Sequence, residues 1–508
     1  MTVRRIMGVE TEYGISVPGD PVANPMFLSG QVVSVYAAAH GIRSNQASWD
    51  YAFEDPLQDA RGWHLDRSEA DASQLTDIED PSLANVVLPN GARYYVDHAH
   101  PEYSSPECTV PRDVLVWDRA GDAIALESVR LLASRPGQAP VNLYKNNTDG
   151  KGQSYGTHEN YLMPRRTPFP DIVVHLTPFF VTRQVVCGAG RVGIGVDSRT
   201  PGYQISQRAD FFETEVGLET TLKRPIINTR DEPHAVADQY RRLHVIIGDA
   251  NQLDVASVLK LGTTSLVLGM IETGHLHDDW SIRRPVSALH AVSHDPTLRT
   301  TVELVDGRRM TALDVQWMYH DAARAWLDSR SDDPVPQATE EVMTLWEDVL
   351  TRLGRDVFSC ASDVDWVAKL QLLEGYRSRD GLAWDDHRLA AIDIQWADVR
   401  PEKGLVHRLR DRGRLRDLVP PERVRAAQRT PPEDTRAWFR GTCVSRFGPA
   451  VVSASWDSVV FEVPGRTSLQ RVPILEPERG TRAQVGRLLE ESRDVTHLLD
   501  GLAAPPVS

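Results

Sequence analysis

The chain has 508 residues, of which 41% are hydrophobic and 25% are charged, a composition typical of a soluble globular protein with a sizeable core. Its 56 basic and 71 acidic side chains give a net charge of −15, which argues against a general nucleic-acid-binding protein. The four cysteines lack paired spacing and the apolar run SLVLGMI, residues 265–271, is too short to span a membrane, so we expect a cytoplasmic protein with neither a nucleic-acid nor a membrane partner.

The first predicted element is a strand in the segment RRIMGVETEYGI, residues 4–15. Successive side chains of a strand point to opposite faces, so Glu10 and Glu12 share one face. A half-buried strand with a polar outer face is the ordinary explanation of such alternation. The alternative is a metal site, because two carboxylates this close repel each other unless a cation or a shared proton lies nearby.

A long polar segment follows at about residues 40–88 and includes the run DRSEADASQLTDIEDPS. It shows no clear periodicity, so we predict an inserted, extended or disordered loop. Loops of this length are uncommon within compact domains. The segment is therefore either a functional lid or a passive surface insertion.

The remaining predicted elements mix strands with helices, which indicates an α+β fold. Strands are predicted at 92–97, 171–181 and 241–249, and helices at 122–134 and 340–353.

A stretch rich in proline and charge, residues 418–438, predicts a domain boundary. It would separate a large unit, residues 1–425, from a small C-terminal unit, residues 430–508.

Three further segments repeat the pattern of polar side chains on one strand face. The pairs are Tyr95 with Asp97, His158 with Asn160, and Arg242 with His244. The intervening positions of the first and third segments are apolar, so the polar faces of the separate strands are expected to line one pocket.

Carboxylates are the ligands that Mg²⁺ prefers, and Mg²⁺ commonly joins protein acids to nucleotide phosphates. Because histidines belong to the same set, Mn²⁺ and Zn²⁺ are alternatives to Mg²⁺. Arg242 is suited to neutralise a phosphate, and the glycine-rich segment 146–160 could bring backbone amides to one, although it is not a Walker A loop. The residues thus indicate a metal-dependent, nucleotide-binding enzyme and leave its substrate open.

Four motifs in order also resemble those of a known family. They are RRIMGVETEYGI, NGARYYVDHAHPEYSSPE, NNTDGKGQSYGTHENYL and RRLHVIIGDANQ. These are similar to the enzymes of the prokaryotic ubiquitin-like protein (Pup) pathway, a family that contains the Pup ligase and the Pup deamidase, which is also the depupylase. The resemblance implies a glutamine-synthetase-like fold of the carboxylate-amine ligase type, with a curved antiparallel sheet cradle, helices and a small C-terminal domain.

Two features favour the deamidase branch of this family over the ligase branch. The segment between Glu12 and Asp97 is long, as expected for the loop inserted in the deamidase. The motif YVDHAHPEYSSPE is similar to the deamidase form.

The resemblance also implies roles for individual residues. Those that match the Mg²⁺ ligands are Glu10, Tyr95, Glu102, His158 and His244, with Glu12 added on strand geometry as well. Those that match ATP contacts are Ser104, Ser105, Asn160 and Arg242. Asp97 matches the catalytic aspartate, and an acid beside a metal and an arginine should have a depressed pKa and stay ionised. The alternative is that Asp97 is a further ligand or caps a strand end.

The implied reaction is hydrolysis of the side-chain amide of the C-terminal Gln of Pup to Glu, and of the isopeptide bond between that Glu and a substrate lysine. ATP would act as a cofactor that is not consumed stoichiometrically. The implied partners are Pup and pupylated proteins, with a functional link to the bacterial proteasome. The basic segment 407–417 is either a contact for an acidic partner or a solvated helix face.

Three other functions remain open at this point. They are the Pup ligase, a small-molecule carboxylate-amine ligase, and a non-catalytic adaptor that binds nucleotide and Pup.

Overall fold

The computed structural model describes residues 2–20, 22–42, 48–50, 55–70, 84–138, 140–330 and 335–503. In chain order, its strands are Met7–Glu12 (β1), Gly14–Ser16 (β2), Ser48–Trp49 (β3), Gln58–Asp59 (β4), Trp63–His64 (β5), Asn85–Val87 (β6), Arg93–Asp97 (β7), His100–Ser104 (β8), Asn142–Tyr144 (β9), Thr157–Pro164 (β10), Arg191–Ile194 (β11), Thr200–Gln204 (β12), Phe212–Gly217 (β13), Arg224–Asn228 (β14), Tyr240–Val245 (β15), Thr301–Glu303 (β16), Arg309–Thr311 (β17), Val451–Ala454 (β18), Ser458–Phe461 (β19) and Gln470–Pro473 (β20). Its α-helices are Pro25–Ala39 (α1), Pro111–Ala133 (α2), Phe169–Cys187 (α3), Asp254–Glu272 (α4), Pro285–Ser293 (α5), Ala312–Asp328 (α6), Gln337–Arg355 (α7), Asp365–Asp380 (α8), His387–Trp396 (α9), Leu405–Asp411 (α10), Pro421–Ala427 (α11), Ala437–Phe447 (α12), Arg482–Glu491 (α13) and Val495–Ala503 (α14).

A six-stranded sheet in the order β15-β10-β1-β8-β7-β6 organises the large unit. Every neighbouring pair in it is antiparallel. On one face, side chains such as Met7, Val9, Leu243 and Val245 join the main apolar core with helices α3 and α4. The other face is therefore left to the polar side chains of the same strands.

Helix α4 contains the apolar run 265–271 and lies at the centre of this core. Within the described residues it is the one helix long and apolar enough to cross a membrane by length and composition. The whole of its apolar window is buried inside the protein, as expected for a core helix.

The prediction of a strand at 171–181 is wrong, because these residues lie within helix α3. The helix begins after Pro168, and Pro170 occupies its first turn, where a missing backbone N–H costs nothing. Most of its residues are buried on all sides, so its sequence is a continuous apolar run, and periodicity cannot distinguish such a helix from a buried strand. The other predicted elements are confirmed as β7, β15, α2 and α7.

The segment 40–88 contains a docked hairpin rather than only irregular chain. In the hairpin formed by β4 and β5, Gly62 has a φ of +96° at the turn. Ala60 N donates to the Thr229 carbonyl over 2.8 Å, and Thr229 Oγ1 donates to the buried Asp59 over 2.5 Å. Of the two predicted states, this part adopts the extended one and not the disordered one, while positions 43–47, 51–54 and 71–83 lie outside the described residues.

The C-terminal segment has an apolar cluster of its own, which includes Phe439, Val459 and Phe461. Val87 belongs to this cluster as well. Strand β3 pairs in parallel with β18, so the four-stranded C-terminal sheet includes a strand from the N-terminal part of the chain. The division at residues 425–430 stays a prediction.

Candidate active site

The polar face of the six-stranded sheet brings the predicted site residues together. In the strand register, Glu10 lies opposite His158 on β10 and Ser104 on β8. Glu102 lies opposite both Glu12 and Tyr95. Asn160 on β10 lies opposite His244 on β15. Four segments that are distant in sequence, namely β1, the pair β7–β8, β10 and β15, thus place their polar side chains side by side, as the alternation predicts.

A first group that could hold a metal ion consists of Glu10, His158 and His244. Their nearest ligand atoms all lie within 4.8 Å of one another. His158 Nδ1 is 3.2 Å from Glu10 Oε2, and the two imidazole rings meet edge to face with centroids 4.9 Å apart. Burial, followed by the positive charge of Arg242, holds the pKa of His244 well below its usual range, so its imidazole is neutral, the form that binds metals.

A second group of the same kind consists of Glu12, Asp97 and Glu102. The Tyr95 hydroxyl donates a hydrogen bond to Glu102. Gly156 N donates to Glu12 Oε1 over 2.6 Å. This backbone amide of the glycine-rich segment therefore orients a carboxylate. The sequence suggests a contact with phosphate instead.

The carboxylates of the two groups carry more negative charge than the buried site can hold by itself. Burial raises the pKa of Glu102 well above its usual range, and the charges of Asp97, Glu10 and Glu12 raise it further. Such repulsion is relieved by a cation. Carboxylates together with neutral imidazole form a donor set that suits a divalent metal, so these residues fit the predicted ion.

Asp97 ends β7 and lines the polar cleft. Burial alone would raise its pKa, but the charge and hydrogen bond of His98, whose Nδ1 lies 3.0 Å from Asp97 Oδ1, lower it below the usual value. The predicted depressed pKa is confirmed in direction. Within the protein the main cause is His98, assisted by His158 and Arg93, rather than Arg242.

Arg242 is fixed by a hydrogen-bond network, and the sequence predicts only some of its members. Its Nη1 donates to Asn160 Oδ1 over 2.5 Å, and its Nε donates to the Glu232 carbonyl over 2.8 Å. Glu232 also accepts from Arg230. Arg230 and Glu232 lie between β14 and β15, where no strand periodicity singles them out.

The two serines predicted to contact ATP are both buried on or beside β8. Ser104 Oγ donates to Glu102 Oε1 over 3.3 Å. Ser105 Oγ accepts from Val9 N over 3.0 Å. Both serines line a cleft of about 540 Å³.

This smaller cleft adjoins the polar cleft of about 980 Å³ that contains Asp97. Glu10, Arg242 and Trp456 line both clefts. Trp456 belongs to the C-terminal unit. No local motif predicts it, because only the tertiary structure brings it to the sheet.

Glu107 ties the C-terminal unit to the sheet. It accepts hydrogen bonds from Arg436 Nε over 2.7 Å and from Arg440 Nη2 over 2.5 Å. Burial opposes its ionisation, but the two arginines lower the pKa of Glu107 to about 2. Arg436 also lines the smaller cleft. The ion pair of Glu107 therefore connects the packing of the C-terminal segment on the sheet to the candidate active site.

The sequence and the fold match one family. The family model described as Pup-ligase protein matches residues 5–460. The chain is 59% identical to the depupylase of Acidothermus cellulolyticus, with 98% of this chain and 99% of that protein covered. It is 54% identical to the Pup deamidase/depupylase of Mycobacterium tuberculosis (99% and 100% covered) and 36% identical to the Pup–protein ligase of Nakamurella multipartita (96% and 99% covered).

Two solved structures are similar to this fold. The complex between Pup and its ligase PafA has a TM-score of 0.79 at 33% identity, with 96% of this chain and 91% of that chain covered. The Pup ligase PafA in complex with ADP has a TM-score of 0.72 at 36% identity, with 80% and 89% covered. The chain belongs to the Pup-ligase family and shares the fold of the Pup ligase, and the predicted α+β class is confirmed.

Proposed function

We propose that this protein is an ATP-dependent amidohydrolase that deamidates the C-terminal Gln of Pup and cleaves the isopeptide bond between Pup and a substrate lysine. The observation that carries the proposal is the ionised carboxylate of Asp97 at a strand end, beside a group of residues suited to a metal. Within the family, the depupylase branch is favoured over the ligase branch, because the full-length identity is 54–59% to depupylases and 36% to a ligase.

Both substrates contain an amide of the same γ-carboxyl group, so one site serves both. Water is added across the amide, the C–N bond breaks, and the nitrogen leaves with a proton as ammonia or as the lysine amine. The γ-carboxylate remains on Pup. Asp97 supplies the anionic oxygen that either attacks the carboxamide carbon or activates the attacking oxygen.

The residues that would hold Mg²⁺ are Glu10, Glu12, Tyr95, Glu102, His158 and His244. The nucleotide would lie in the smaller cleft, which Trp456 also lines, with Ser104, Ser105, Asn160 and Arg242 toward its phosphates. When bound there, Mg²⁺ would offset the negative charge of these carboxylates and of the nucleotide phosphates. ATP is proposed to stay bound as a cofactor through many turnovers.

We further propose that the protein acts in the cytoplasm, in a pathway linked to the bacterial proteasome, and without nucleic acid. The four cysteines are free and buried, as suits a reducing compartment. The net charge of −15 disfavours nucleic acid.

The test is to incubate the pure protein with Mg²⁺, ATP and Pup ending in Gln, and to follow Pup by mass spectrometry. Conversion of the terminal Gln to Glu, with many molecules of Pup processed for each ADP formed, is the expected result. Unchanged Gln-ended Pup together with ligation of Glu-ended Pup to lysine would instead identify a ligase.

A further inference from the structure

Two arginines near the carboxylate site form no ion pair within the described residues, although the charge of Glu12 acts on both. Arg208 is 1% exposed and Arg224 is half-buried. Among the described residues, no carboxylate lies within ion-pair distance of either guanidinium, although most other buried arginines of this chain are paired. A buried positive charge without a counter-ion is costly, so the pair calls for an anion from outside the chain.

The hydrogen bonds of the two side chains converge on one residue. Arg208 Nε donates to Ser154 Oγ over 3.3 Å, and Arg224 Nη2 donates to the Ser154 carbonyl over 3.0 Å. Arg208 Nη1 donates to the Ile246 carbonyl, and Arg224 Nε donates to the Thr220 carbonyl over 2.9 Å. These neutral acceptors fix both guanidinium groups but neutralise neither.

One nitrogen of each guanidinium remains without a hydrogen-bond partner in the described chain, namely Nη2 of Arg208 and Nη1 of Arg224. The two positive charges also repel each other: burial and then the charge of Arg224 lower the pKa of Arg208 to about 9. An anion placed between them would remove that repulsion.

The pair lies near the second group of carboxylates, because the charge of Glu12 acts on both guanidinium groups. Ser154 precedes Gly156 by two residues, and Gly156 N holds Glu12 Oε1 at 2.6 Å. Glu12 in turn belongs to the group that contains Asp97 and Glu102. An anion bound at the two arginines would thus lie on the side of this group that Glu12 occupies.

We propose that Arg208 and Arg224 bind the free α-carboxylate of the terminal residue of Pup. The inference rests on the proposed function. In the Gln-ended form and in the lysine conjugate alike, the scissile amide is on the side chain, so both substrates retain this α-carboxylate only a few bonds away. Recognition of it explains how one site accepts both substrates while rejecting a Gln or Glu within a chain.

The test compares Gln-ended Pup with the same Pup ending in an α-carboxamide, using the wild type and the variants R224Q, R224K and R208Q with saturating Mg²⁺ and ATP. Charge-assisted hydrogen bonds of this kind correspond to a preference of about 10- to 100-fold in kcat/KM for the free acid. R224Q should lose most of that preference, because its kcat/KM on Pup with the free α-carboxylate should fall. R224K keeps a positive charge and should retain part of the preference. R241Q is the control, since Arg241 is buried like Arg208 but packs on the ring of Phe169 on the opposite face.

A phosphate group of the nucleotide is the other anion of suitable chemistry, so binding of ATP and ADP is measured for each variant. If R224Q keeps the preference for the free acid but weakens nucleotide binding, the pair binds phosphate and the proposal is wrong. Equal rates of the wild type on both forms of Pup would also overturn it, whatever the folding of R208Q. Absence of deamidation of either form by the wild type would instead contradict the proposed function itself.

Discussion

Asn160 Nδ2 donates a 2.9 Å hydrogen bond to Oε1 of Glu10 across two neighbouring strands. The orientation of the amide is fixed, because Asn160 Oδ1 accepts from Arg242. Burial would raise the pKa of Glu10, but its hydrogen bond with His158 and the nearby positive charges hold it well below its usual range. Glu10 is therefore ionised and oriented before any ligand binds, which limits the ordering cost of binding.

The first prediction concerns metal and nucleotide binding through Glu10. Adding Mg²⁺ together with ATP should raise the Tm of the wild type, because a ligand that binds only the native state stabilises it. Glu10→Ala should abolish this rise, and so should excess EDTA. Glu303→Ala, a change at an exposed strand residue, should leave it intact. A full rise in Tm for Glu10→Ala, measured by differential scanning fluorimetry, would contradict the proposed ligand.

The second prediction concerns Asp97. Asp97→Asn is nearly isosteric and should retain folding and nucleotide binding, but it should lower both deamidation and depupylation by about 100-fold or more, because a neutral amide is a poor nucleophile and a poor base. Asp278→Asn, at an exposed position, is the control and should be fully active. Activity of Asp97→Asn above a few per cent of wild type, in single-turnover assays, would remove Asp97 from the catalytic step.

The third prediction concerns the pH dependence of stability, through the ion pairs of Glu107 that join the C-terminal segment to the sheet. The pKa of Glu107 is lowered from 4.5 to about 2 in the folded protein, so its ionisation stabilises the fold above pH 4.5. That contribution, about 3 kcal/mol, should be lost as the pH falls from 4.5 toward 2. Glu107→Gln should be less stable at pH 7 and should lose this part of the pH dependence.

Urea unfolding of wild type and Glu107→Gln as a function of pH measures this effect. Glu433→Gln is the control, because Glu433 pairs with Arg482 at the exposed surface and such pairs contribute little. Parallel stability curves for wild type and Glu107→Gln below pH 4.5 would show that the linkage has another source.

The fourth prediction concerns the hairpin of β4 and β5. Asp59 joins this hairpin to Thr229, which directly precedes Arg230 in the network around Arg242, and Pro56 of the same segment lines the polar cleft. Asp59→Asn should therefore change the rate of turnover or its dependence on ATP concentration while the fold is kept, as expected of a segment that gates access.

The control for this prediction is Asp66→Asn, because Asp66 lies in the same segment but is exposed. Replacement of residues 51–83 by a short Gly/Ser linker, which keeps β3 and β6, is the stronger form of the test. If circular dichroism shows that the linker variant is unfolded, the segment is structural and the gating hypothesis fails.

The sequence predicts the polar face of the sheet well because that face depends on local alternation. Glu10 and Glu12, or Tyr95 and Asp97, share a face through strand geometry alone, and the sheet then aligns the strands. Helix α3 was predicted as a strand because burial on all sides removes the periodic signal. Trp456 and Glu232 could not be predicted from any local pattern, since only packing between distant segments brings them to the clefts.

The central position of β1 in the sheet has a consequence for biosynthesis. Its partner β8 follows within about 90 residues, but its other partner β10 begins about 145 residues later, so at usual translation rates one edge of β1 stays unpaired for about 7 to 30 s. Met7 and Val9 remain exposed to solvent during that time. Nascent chains that stop before Thr157 should therefore depend on chaperones and aggregate without them, and the complete pair of clefts can form only after Trp456 has been synthesised.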